Sequence, residues 1–93
     1  MLPLKVTQTT PIAIGLTEVK AFGPLARGGI LHLISDRTFH LAQDGDASTD
    51  CFRVVSDHEV LINIDPGKGL SVTLGTGETA GTIWVSEVKI LGV

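Results

Sequence analysis

The stretch Glu59–Leu74, EVLINIDPGKGLSVTL, narrows the folding options more than any other part of the chain. Val60, Ile62 and Ile64 alternate with Leu61, Asn63 and Asp65, and Leu70, Val72 and Leu74 alternate with Ser71 and Thr73. A period of two puts every second side chain on one face, the pattern of a strand with one buried side. Between the runs lies Asp65-Pro66-Gly67-Lys68-Gly69. Proline pre-sets φ at the first central turn position, and glycine takes the positive φ that a type II turn needs at the second. The stretch predicts two strands joined as a hairpin, with Val60, Ile62, Ile64, Leu70, Val72 and Leu74 in the core.

The remaining segments follow the same period. No window carries apolar residues at i, i+3, i+4 and i+7 over helical length, and glycine or proline punctuates the chain throughout. Residues 1–10 alternate weakly around Pro3 and read as an extended N-terminal arm, because proline confines a segment to an edge or an arm. Pro11 to Ala21 alternates with a phase change at Gly15, the mark of a bulge or bend. Phe22 to Gly29, FGPLARGG, reads as a loop. Further strands are expected at Ile30–Ile34, Thr38–Ala42, from Phe52, and at Thr82–Val93. The last should bend near Ser86-Glu87, since Ile83 and Val85 share one face and Trp84, Val88 and Ile90 the other. Short strands at this spacing define an all-β chain: a small antiparallel β-sandwich or jelly-roll-like domain over 11–93, preceded by the arm.

Ninety-three residues make one domain. With three Phe, one Trp and no Tyr, the core is aliphatic and Trp84 is expected to be its largest piece. A net charge of −3 without clustered Lys or Arg argues against a nucleic-acid partner. The single Cys51 excludes an internal disulfide, and the small hydrophobe of a packed strand is its expected role. No signal-peptide pattern and no apolar run of membrane-spanning length is present, so a soluble chain made in the cytoplasm, without a membrane partner, is expected.

Motifs that carry chemistry are thin. Asp44-Gly-Asp46-Ala-Ser48-Thr-Asp50 puts oxygens at alternate positions, but Thr49 and Val55 stand where a helical calcium loop needs Gly and Glu. A solvated turn is the expected reading. His32, His40 and His58 lack the two-residue spacing of a jelly-roll metal site. Gly75-x-Gly77-x-x-x-Gly81 leads into a strand instead of a helix, and Pro66-Gly67-Lys68-Gly69 lacks the hydroxyl after lysine that a phosphate loop requires. No catalytic, cofactor-binding or metal-binding residue is assigned, and no cofactor is expected. The apolar arm and the apolar strands instead suggest a surface for association, with Leu2, Leu4, Val6, Leu31, Leu33 and Leu61 as its candidate residues.

From Thr38 to Val88 the chain runs through a polar loop (GDASTD), a strand (FRVV), EVLINIDPGKGLSVTL, a glycine-rich tip (GTGETAG) and a closing strand with tryptophan (TIWVSEV). In this order it resembles the small β-sandwich virion proteins of tailed bacteriophages that decorate or cement capsids or form head fibres. The resemblance implies a non-enzymatic capsid decoration protein, assembled in the host cytoplasm and located in the virion. It would act as a homo-oligomer, with a trimer favoured, on the major capsid protein or another virion protein. The alternative is a glycan- or receptor-binding β-sandwich, with Trp84 and the Asp44–Asp50 loop as its features.

Overall fold

The computed structural model describes residues 4–43 and 45–90. Eight strands follow in order: β1 (Leu4–Gly15), β2 (Val19–Leu25), β3 (Gly29–Ser35), β4 (Phe39–Ala42), β5 (Phe52–Val54), β6 (Val60–Ile64), β7 (Lys68–Leu74) and β8 (Ala80–Ile90). They form two four-stranded sheets with the orders β1-β8-β3-β6 and β2-β7-β4-β5. Every pairing is antiparallel. The first strand pairs with the last, the second with the seventh, the third with the sixth and the fourth with the fifth. That nested winding is the jelly roll, so the expected all-β sandwich is the fold.

The expected hairpin at Glu59–Leu74 is corrected by this topology. Its turn forms as read: Lys68 N–H donates to the Asp65 carbonyl at 3.0 Å and Gly67 has φ 79°. Yet β6 pairs with β3, and β7 with β2 and β4, in the opposite sheet. The Asp65–Lys68 turn therefore crosses the sandwich. Val60, Ile62 and Ile64 face Leu70, Val72 and Leu74 across the core instead of lying beside them. Alternation specifies a buried face; it carries no information about which strand supplies the hydrogen bonds. The crossing turn is tied to its neighbour through the Leu25 carbonyl, which accepts from Gly67 N–H at 2.7 Å and Gly28 N–H at 3.1 Å. Gly28 has φ 66°, and a Cβ there would meet the Ile64 carbonyl, so only glycine fits.

Other expectations change in detail. Of the arm, residues 4–10 are the first part of β1, paired from Leu4↔Ile90 onward; residues 1–3 lie outside the described residues. The register irregularity near Glu87 belongs to β1, where the pairing slips between Val6 and Gln8. Phe22–Leu25, expected as loop, is the second half of β2, with a register shift between Phe22 and Leu25. Gly15 ends β1, and the Leu16–Glu18 turn carries the chain to the other sheet.

The core is the layer between the sheets. Leu31, Leu33, Phe39, Val72, Ile83 and Val85 are fully enclosed there. Leu31 and Leu33, taken from the sequence as interface residues, are thus core. Trp84, expected to be the largest piece of the core, is 38 % exposed on the outside, and Phe39 is the largest enclosed side chain.

Candidate functional site

The phase of β3 decides what the sheet β1-β8-β3-β6 shows to solvent. Leu31 and Leu33 point inward, so Ile30, His32 and Ile34 point outward. The registers then align three outward rows: Pro11–Trp84–Ile34, Thr9–Ser86–His32–Leu61 and Val6–Val88–Ile30–Asn63. The flanking rows are apolar apart from Asn63. In the middle row the Thr9 and Ser86 hydroxyls hydrogen-bond each other at 2.9 Å, and His32 Nε2 donates to the Glu59 carboxylate at 2.7 Å. Among these described outward residues only His32 is titratable. Val6, Leu61 and Trp84 are exposed, at 58 %, 49 % and 38 %. No described segment of the chain hydrogen-bonds across this face. Two apolar rows thus flank a polar one, with the Glu59 carboxylate beside His32, and the flanking rows have the composition of an interface centre.

The outer face of β2-β7-β4-β5 is finished differently. Ser71, Thr73 and His40, outward on β7 and β4, are all buried. Ser71 Oγ donates to the Gly45 carbonyl at 2.9 Å and Thr73 Oγ1 to the Glu18 carbonyl at 2.8 Å. His40 donates from Nδ1 to the Cys51 carbonyl at 3.0 Å. Residues 45–51 and the β1–β2 turn thereby lie over this sheet, and Ala47 is buried there. Near the turn, the Lys20 ammonium sits 3.1 Å from the Glu18 carboxylate, which also accepts Gly15 N–H at 2.7 Å. These two hydrogen bonds, with the charge of Lys20 adding to them, hold the Glu18 carboxyl below the usual carboxylate range.

A second apolar feature lies along the edge formed by β5 and β6. A groove of about 500 Å³ opens there, lined chiefly by Leu41, Phe52, Val60, Leu61 and Ile62. Phe52 is the most exposed large hydrophobic side chain described, at 62 %. It lies opposite the inward-facing Leu41, so its ring belongs to the inter-sheet layer at the point where the layer opens.

The remaining sequence candidates fall apart in space. His32 and His40 lie on opposite outer faces, and His58 bonds the Ser56 carbonyl within its own turn. Among the described residues no group of three or more His, Cys, Asp or Glu side chains converges. Cys51 is half-buried in a turn, its Sγ accepting from Ser48 N–H at 3.4 Å, and is not part of a strand. Of the interface candidates, Val6 and Leu61 stand on the uncovered face, and Leu2 and the Leu4 side chain lie outside the described residues. Sequence reasoning missed Ile30, Ile34 and Phe52 and misplaced Trp84. One signal was present: His32 is the only polar residue of ILHLI, and placing it outward puts Ile30 and Ile34 outward with it.

Compared with known protein families, with curated proteins and with solved structures, the chain has no match in any of the three.

Proposed function

We propose that this chain is a non-enzymatic assembly protein, a virion structural protein that stabilises a phage head shell by associating with itself and with the major capsid protein. The observation that carries the reading is the outer face of β1-β8-β3-β6, where two apolar rows flank a polar one and Val6, Leu61 and Trp84 are exposed. Burial of Val6, Leu61 and Trp84 between subunits would supply the affinity, at roughly 25 cal/mol per Å² of apolar area before association costs. The decoration role within that class follows from the resemblance of residues 38–88 to phage β-sandwich virion proteins.

The test mixes purified protein with undecorated head shells and measures occupancy and the temperature of shell disruption. Occupied shells of raised heat resistance, with occupancy lost in Trp84→Glu, are the expected result. Shells left bare by the wild-type chain would overturn the reading. Deleting residues 1–10 is not a clean version of this test, because it strips an edge strand from β8.

A second reading, a glycan- or receptor-binding module, draws support from the partial exposure of Trp84 on a sheet face. It predicts quenching or a blue shift of the Trp84 fluorescence by the receptor saccharide.

A further inference from the structure

Four strands end the two sheets, and three of them are protected against pairing. β1 carries Pro11 and a register slip after Val6. β2 carries Pro24, a register slip after Phe22, and Lys20 in register with the inward-facing Val72. β5 is only three residues long and contains Arg53. Proline, bulges, inward charge and shortness are the usual means by which edges avoid other strands. β6 has none of them, and among the described residues only its Asn63 carbonyl is taken, by the Gln43 side chain, which donates from Nε2 at 3.3 Å. Val60–Ile64 is VLINI, pairs with β3 without a register break, and contains no proline and no charge. Beside it opens the Phe52 groove, an apolar space along the same edge.

We propose that β6 is the pairing edge of a homodimer, in which the β6 strands of two copies join antiparallel across a two-fold axis with Leu61 opposite Leu61 of the second copy. The proposal rests on the self-association in the reading above and not on the identity of the shell.

A second copy is the occupant that the local charges fit. An isologous contact must be self-complementary. Antiparallel strands also keep outward residues opposite outward ones. Centring the axis on Ile62 satisfies the phase but sets the Glu59 carboxylate opposite Asp65 of the second copy, a like-charge pair. Centring it on Leu61 sets Glu59, whose carboxylate also accepts from His32, opposite the Asn63 amide, a donor, and Val60 opposite Ile62. Only neutral or complementary pairs then face each other from Glu59 to Asn63, and the like-charge pair Asp57–Asp65 falls beyond the strand, where Asp57 lies in a turn. The same axis brings Val60 and Ile62 of the second copy into the inter-sheet layer next to the first copy's Phe52, whose ring would lose its exposure. Backbone hydrogen bonds supply the pairing, and the groove supplies the apolar contact, as in strand addition generally. A two-fold contact of this kind builds dimers or assemblies with an even number of subunits, so it departs from the three-fold arrangement that the resemblance implies.

The test is site-specific cross-linking in the full chain with Cys51→Ser as background. At the axis, Cα atoms of facing residues stand about 4.5–5.5 Å apart, within disulfide reach. Two copies of residue 63 would be four residues out of register, about 13 Å apart. Oxidation is expected to cross-link Leu61→Cys nearly completely and to leave Asn63→Cys monomeric on a non-reducing gel. Sedimentation of the uncross-linked background protein should give a dimer, and Leu61→Lys should weaken it at least tenfold with an unchanged far-ultraviolet circular dichroism spectrum. A monomeric background protein, equal cross-linking at both positions, or a dimer indifferent to Leu61→Lys would each overturn the proposal. Bare shells with a cross-linkable dimer would instead remove the shell-binding reading and leave the dimer standing.

Discussion

On one side of the sandwich the chain covers its own sheet; on the other it leaves the sheet to solvent. Ser71, Thr73 and His40, outward on β2-β7-β4-β5, hand their hydrogen bonds to the carbonyls of Gly45, Glu18 and Cys51, and the covering segments are held by those bonds. On β8 and β3 of the other sheet the outward positions are Trp84, Val88, Ile30 and Ile34, which have nothing to offer a polar loop, and Ser86 and His32, whose hydrogen bonds go to the side chains of Thr9 and Glu59. Small hydroxyl residues draw the chain's own backbone onto a sheet. Large apolar ones offer it no hydrogen bond. The two faces differ in chemistry more than in shape.

Substitutions can break this contrast at graded cost. Leu33 serves both faces because it packs in the layer between them, and Leu33→Ala should lose about 2–5 kcal/mol in chemical denaturation. On the covered face, Thr73→Val removes the donor to the Glu18 carbonyl and should cost about 1 kcal/mol. Faster amide exchange in the β1–β2 turn would accompany it. On the uncovered face, Val6→Thr should change monomer stability by no more than about 0.5 kcal/mol, since its side chain already faces water. A larger loss there would mean that the face is braced from within.

Glu18 marks the smallest effect and gives its sign. Its folded carboxyl is held down by the Lys20 hydrogen bond first, then by Gly15 N–H and the charge of Lys20. A depressed carboxyl contributes stability above its unfolded value and loses it as pH falls through the folded value. An NMR titration should place the Glu18 midpoint below that of an unperturbed glutamate, and Lys20→Met should raise it.

Strand positions were readable because alternation reports burial directly. The Asp65–Lys68 turn was readable because proline and glycine each impose a torsion. Strand partners were not, since the row Val60–Ile64 satisfies a neighbour in its own sheet and a facing sheet equally well. The candidate site was half legible. Leu61 is apolar between the polar Glu59 and Asn63 on its own side of the strand, so its exposure stands out. Leu31 and Leu33 lie in a strand apolar on both faces, where only His32 indicates the phase. Trp84 stands between Ile83 and Val85, and only Ser86, two residues on, points to the outer side.

The nested pairing has a consequence for how the chain acquires its fold. Only β4 and β5 are both sequence neighbours and partners; β1 waits for β8, which follows it by more than sixty residues. Pairings between distant segments are entropically expensive to initiate, and folds dominated by them form slowly. During synthesis β1 is made before β8 and stays without its partner until the strands between them have been made as well. Its Pro11 then acts on a segment that is still unpaired, keeping it from joining the wrong strand while it waits.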